Sequence, residues 1–175
     1  MNIHASTIEG VFFVEPIFLE DERGFFSRSF CRDEFEEMGL SPDIKQSNVS
    51  YNRYRGTLRG MHFQNNPYQE AKLVRCTRGA IFDVAVDLRV ESATYKSWIS
   101  VELSEKNRKS VYIPPGFAHG FQTLEDGSEV LYDMFESYHA ECSAGVRWND
   151  EAFSIKWPLA ISNISERDAG FADYS

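Results

Sequence analysis

Cysteine is scarce in this chain of 175 residues: Cys31, Cys76 and Cys142 are the only three. Their number is odd, their spacings are wide and no Cys-x-x-Cys pair occurs. A disulfide framework and the usual zinc spacings are thereby excluded, and reduced thiols in a cytosolic protein are the simplest reading. Basic charge is also short. Eighteen Lys and Arg stand against 27 Asp and Glu, a net charge of −9, which excludes a broad basic face for nucleic acid. No apolar run approaches the roughly 20 residues of a membrane-spanning helix. The start, Met1 to Ser6, lacks the basic-then-apolar pattern of a secretory signal. Helical periodicity is nearly missing too, and there is no repeat, linker or low-complexity segment.

What the chain does have is aromatic residues, 14% of the total with 14 Phe and 8 Tyr, a composition that suits pleated, half-buried strands. The length fits one domain, residues 1–175, with a real core. Val11 to Leu19 reads as one or two strands, Asp21 to Gly24 as a charged turn, and Phe25 to Phe30 as a resumed strand. Arg32 to Met38 is the best helix, short and closed by Gly39. Ile44 to Tyr51 reads as a strand in which Gln46 and Asn48 share one face. Two amides so placed are either solvated or a buried recognition pair. Ile81 to Leu88 gives the cleanest alternation, with Phe82, Val84, Val86 and Leu88 on one face and Asp83, Ala85 and Asp87 on the other. Trp98 to Leu103 is another strand. Ala118 to Leu124 and Glu129 to Phe135, around the Glu125–Ser128 turn, read as a hairpin. Many short strands with little helix predict an all-β sandwich or barrel, and the lack of crossover helices excludes a parallel α/β fold.

The chemistry concentrates in Leu58-Arg59-Gly60-Met61-His62-Phe63-Gln64 and, shortly after, Ala71-Lys72-Leu73-Val74-Arg75-Cys76. An imidazole that can act as a base, an ammonium that can neutralise an oxyanion and an anion-binding guanidinium are the parts needed to remove a proton next to a carbonyl. Strict alternation sets Arg59 and His62 on opposite faces. A bulge at Gly60 is expected to turn both into one cavity, because glycine inside a strand often marks one.

Pro114-Pro115-Gly116-Phe117-Ala118-His119 fits the P-x-G-x-x-H element of cupins, which are jelly-roll β-barrels. Metal-dependent cupins carry an H-x-H pair where this chain has His62-Phe63-Gln64, so one imidazole is missing and no metal is expected. Further landmarks follow in order: Asp21-Glu22-Arg23-Gly24-Phe25-Phe26, Gln46-Ser47-Asn48, Lys72-Leu73-Val74-Arg75, Phe82 to Asp87, Leu131-Tyr132 and Trp148-Asn149-Asp150. With them the chain resembles the dTDP-4-dehydrorhamnose 3,5-epimerase family over roughly residues 8–170. That resemblance implies a cupin-type jelly roll with a few short helices, no cofactor, and a homodimer that exchanges an N-terminal strand. It also implies a cytoplasmic enzyme acting on a nucleotide-linked 4-keto-6-deoxyhexose, with neither nucleic acid nor a membrane as partner.

By position, the resemblance assigns His62 as general base, Asp168 as its carboxylate, Tyr132 as the acid on the opposite face and Lys72 as the cation beside the carbonyl. It assigns Arg59 and Arg23 to the diphosphate and nucleotide. Phe26, Gln46, Asn48, His119 and Tyr138 match other binding positions. Arg28 and Ser143 stand where the family often has Glu, and Arg167 where Lys is common. These three lie toward the nucleotide, so they bear on the nucleotide or sugar handle rather than on the reaction. Other readings are a mono-epimerase, an epimerase of another nucleotide sugar, a metal-dependent cupin, and a non-catalytic sugar-nucleotide binding module.

Overall fold

The computed structural model describes residues 1–174, and its frame is two packed antiparallel sheets. The strands in chain order are β1 (Asn2–Ala5), β2 (Phe12–Glu15), β3 (Leu19–Asp21), β4 (Gly24–Phe26), β5 (Gln46–Asn52), β6 (Leu58–Gln64), β7 (Lys72–Arg78), β8 (Ala80–Asp87), β9 (Trp98–Ser104), β10 (Ser110–Ile113), β11 (Phe117–Thr123), β12 (Ser128–Met134) and β13 (Ser143–Gly145). One sheet runs β1-β2-β10-β7-β12-β5, the other β13-β6-β11-β8-β9, and β3 and β4 form a separate hairpin. The helices are α1 (Arg32–Glu37), after which Gly39 takes a positive φ of 70°, and α2 (Glu166–Ala169). Among the described residues no helix is long and apolar enough to cross a membrane.

Two sequence expectations are corrected. The segments around the Glu125–Ser128 turn are both strands, but they do not pair. β11 bonds to β6 and β8, while β12 bonds to β5 and β7. The turn therefore crosses from one sheet to the other, and each strand has a hydrogen-bonded neighbour on both sides in its own sheet. The strand resumed at Phe25 also stops at Phe26, and residues 27–31 run irregularly into α1.

Apolar residues fill three layers. Val74, Val111, Val130, Ile81, Leu103 and Phe121 meet between the sheets. Phe35 of α1 covers Leu73 and Tyr112 on the outer face of the six-stranded sheet. The chain after β13 covers the outer face of the other sheet, setting Val146, Phe153 and Ile155 on Met61, Val84 and Val86. Both faces of β8 are consequently buried, which is why Asp83 and Asp87 need partners inside the molecule.

Asp87 finds its partners locally. It accepts from the Arg89 backbone N–H, from the Arg89 guanidinium, and from Ser92 and Thr94 at 2.6 and 2.8 Å. Burial pushes its carboxyl up, but these donors outweigh burial and bring the pKa down to about 2. Such a group stabilises the fold fully above the ordinary carboxylate pKa, and that stability is lost as pH falls toward 2. In urea titrations Asp87→Asn is expected to lose about 2 kcal/mol at pH 6, with the gap to the parent closing as pH drops below about 4.

Candidate active site

A cavity of about 640 Å³ opens between the two sheets, within the size range of small-molecule sites. β6 and β11 line one side through Arg59, His62 and His119, and β5, β7 and β12 line the other through Gln46, Asn48, Lys72 and Tyr132.

The bulge expected at Gly60 is present. His119 pairs with His62 and Phe121 with Arg59, so three steps along β6 are matched by two along β11. The extra residue allows Arg59 and His62, three apart, to line the same cavity. Only glycine fits there. Gly60 has φ +130°, and an added Cβ would lie 2.6 Å from the Gly120 Cα, while a Cβ on Gly120 would meet the Arg59 carbonyl at 2.7 Å.

His62 Nε2 lies 2.7 Å from Asp168 Oδ1. The other oxygen, Oδ2, accepts the Gly60 backbone N–H at 3.0 Å, so one carboxylate ties together the bulge and the imidazole. Asp168 arrives on α2, and Ser165 accepts its backbone N–H as the helix cap. Burial raises the Asp168 carboxyl, but the bond and charge of His62 and the Gly60 N–H outweigh it and leave the pKa below the ordinary value. An ionised carboxylate only accepts, so Nε2 turns its N–H toward Asp168 and Nδ1 is the ring nitrogen that Asp168 does not engage. Phe171 packs edge-on to the His62 ring.

A second imidazole–carboxylate pair stands beside the first, with His119 Nε2 2.8 Å from the buried Asp83 Oδ2. Among the described residues no group of three or more His, Cys, Asp or Glu side chains is placed to hold a metal ion.

Lys72 donates to the His62 carbonyl at 3.1 Å and pairs with Glu70 at 2.9 Å. Tyr132 is half-buried, and its ring packs on the core between the sheets. Two guanidiniums at the cavity bond to neutral groups: Arg59 to Asn52 Oδ1 at 2.7 Å, and Arg167 to Ser143 Oγ at 2.8 Å. Gln46 and Asn48 turn inward while Ser47, Val49 and Tyr51 are exposed, so the two amides face the cavity rather than open solvent. Gln46 Oε1 accepts the backbone N–H of Tyr138, an exposed residue at the cavity edge.

Three of the residues assigned by resemblance lie elsewhere in this chain. Arg23 pairs with its neighbour Asp21, and Phe26 is exposed on the β3–β4 hairpin. Arg28 pairs with Glu34 and lines a separate cavity of about 270 Å³ outside the six-stranded sheet. Conversely, Glu70, Asp83 and Asn52 hold groups at the site and were missed from sequence. Ser165, also missed, carries a readable signal, since Ser165-Glu166-Arg167-Asp168 has the Ser-x-x-acid spacing that opens helices.

The fold and the site define a cupin-type jelly roll whose cavity combines a carboxylate-held imidazole, a buried ammonium and a tyrosine. A family model described as dTDP-4-dehydrorhamnose 3,5-epimerase matches residues 5–175. The chain is 45% identical over 172 residues to the dTDP-4-dehydrorhamnose 3,5-epimerase of Escherichia coli K12, covering 95% of this chain and 92% of that protein. A crystal structure of the Bacillus anthracis dTDP-4-dehydrorhamnose 3,5-epimerase with TDP and PPi bound superposes with a TM-score of 0.95 at 38% identity, covering 99% of both chains. The Legionella pneumophila dTDP-6-deoxy-D-glucose-3,5-epimerase in complex with dTDP-4-keto-L-rhamnose gives 0.92 at 37% identity, covering 97% of this chain and 90% of that one. The chain belongs to the dTDP-4-dehydrorhamnose 3,5-epimerase family.

Proposed function

We propose that this protein converts dTDP-4-dehydro-6-deoxy-D-glucose to dTDP-4-dehydro-L-rhamnose, inverting carbons 5 and 3 in the route to dTDP-L-rhamnose or a related deoxysugar. The observation that carries this reading is the placement of His62 and Tyr132 on opposite sheets of one cavity. Inversion requires a proton to leave one face of the sugar ring and return on the other, and a base and an acid on facing walls suit that task.

In the proposed step, His62 Nδ1 takes the proton from the carbon next to the C4 ketone. The C–H electron pair moves into an enolate, and Asp168 holds the imidazolium that forms. The Lys72 ammonium is the cation available to the enolate oxygen, where developing charge is worth most to stabilise. Tyr132 then gives its phenolic proton to the same carbon from the far side. No net oxidation occurs, so no redox cofactor enters the balance. Arg59 and Arg167, bonded to neutral partners, are the groups for the diphosphate. Gln46, Asn48, His119, Tyr138 and Ser143 complete the substrate contacts.

The reading includes a cytoplasmic homodimer with neither nucleic acid nor a membrane as partner. Val49 and Tyr51 are 60% and 52% exposed on the part of the outer face of the six-stranded sheet beyond α1, and Phe18 and Phe25 of the hairpin region line a cavity with Leu131. A second copy covering this surface would bury it, and a partner's hairpin would bring Arg23 and Phe26 toward the cavity.

Proton NMR of the protein with dTDP-4-keto-6-deoxy-D-glucose in heavy water tests the proposal. Loss of the C3 and C5 signals with formation of the L-sugar is expected. Loss at one carbon would make the protein a mono-epimerase. Binding without exchange would reduce it to a sugar-nucleotide binding module.

A further inference from the structure

We propose that Glu70 is a positioning residue that locks the Lys72 ammonium to the strand carrying His62. The inference rests on the epimerase reading and deepens it. Glu70 lies just before β7, in the connection from β6, and its side chain is only 5% exposed against 8% for Lys72. A carboxylate so buried requires a partner for each oxygen. Oε1 takes the Lys72 ammonium at 2.9 Å, and Oε2 takes the backbone N–H of Gln64 at 2.9 Å. Lys72 in turn donates to the carbonyl of His62 itself at 3.1 Å.

These three contacts close a triangle. Glu70 and Lys72 are tied to β6 on either side of Phe63, at the His62 carbonyl and the Gln64 N–H. Two of the three ammonium protons are thereby committed to protein acceptors, and the third is left for an oxygen in the cavity. A lysine side chain has four rotatable carbons and large conformational freedom. Held at two points, its charge keeps a fixed distance from the imidazole before substrate arrives. Such preorganisation matters most where charge develops in the transition state. The same strand is anchored further by the Gln64 side chain, which donates to the Tyr68 and Ser137 carbonyls and accepts the His139 N–H. Movement of Glu70 therefore shifts the ammonium rather than the strand.

The test is a double-mutant cycle with an independent spectroscopic readout. Glu70→Ala is expected to lower kcat about tenfold or more with KM within about twofold, because the contact at stake strengthens in the transition state. In a Lys72→Ala background the same change is expected to cost less than about twofold, since its effect passes through the missing ammonium. The near-isosteric Glu70→Gln, which keeps one acceptor oxygen and the packing, is expected to fall between parent and Glu70→Ala. In nitrogen-15 spectra without substrate, the Lys72 ammonium is expected to be protected from solvent exchange in the parent and lost to exchange in both Glu70 variants. Equal costs with and without Lys72 would overturn the proposal, leaving Glu70 a purely structural residue. So would a protected ammonium signal in both variants. If the parent shows no turnover, the epimerase reading fails first, and the ammonium signal alone then upholds or overturns the lock.

Discussion

Replacing His62 with alanine is expected to lower deuterium wash-in at the sugar carbons by about a thousandfold, with substrate affinity changed by less than about threefold. The size of the effect follows from geometry. Asp168 engages Nε2 from behind, so Nδ1 is the lone pair that the ring can offer. His119 cannot take over. It has its own carboxylate, Asp83, and stands across from His62 on β11 as its direct partner in the ladder. Affinity is expected to survive because Arg59, Arg167 and Gln46 are held without help from the imidazole. Stability is expected to change modestly. The His62 side chain is 41% exposed, and Asp168 keeps the Gly60 N–H when the ring is gone. Wash-in measured by proton NMR, alongside calorimetric titration with dTDP, the nucleotide portion shared by substrate and product, separates the two quantities. A variant that exchanges at a near-parent rate would remove His62 as the base.

How far the site could be read from sequence differs residue by residue. The Gly60 bulge was legible because an interior glycine between two polar residues of opposite facing has few other uses in a strand. The inward placement of Gln46 and Asn48 was half legible. The two-residue period sets them on one face, but which face meets the cavity depends on strands far along the chain. The Glu125–Ser128 turn misled for the same reason, since alternation says nothing about which neighbour a strand hydrogen-bonds. A two-sheet sandwich can send consecutive strands to opposite layers. Full burial of β11 on both faces is the structural counterpart, and its sequence, Phe117 to Thr123, indeed lacks a clean alternation. Asp168 carries its spacing signal with Ser165, yet nothing local says that its side chain reaches back over a hundred residues to β6. Glu70 was invisible. In a polar connection it reads as a solvated charge, and only the packed structure reveals that it is enclosed.

Tyr132→Phe is expected to split the reaction into halves. Phenylalanine keeps the ring that packs on the core between the sheets, so the fold and the cavity shape persist, with a stability change below about 1 kcal/mol. What disappears is the hydroxyl, to which no protein group hydrogen-bonds among the described residues and which is therefore available to substrate. With His62, Asp168 and Lys72 untouched, the proton on the His62 side still leaves and the enolate still forms. The imidazolium, exchanged with solvent, can only return a deuteron to the face it came from. Inversion is therefore expected to fall by about a thousandfold, while wash-in of deuterium with retained configuration continues within about tenfold of the parent rate. Proton NMR reads both at once, because retained and inverted sugars differ in their ring couplings. Equal loss of exchange and inversion would mean that Tyr132 acts before the enolate rather than after it. Unchanged inversion would mean that another group, or water, protonates the far face. Either result would break the assignment of one proton to each sheet, on which the proposed mechanism depends.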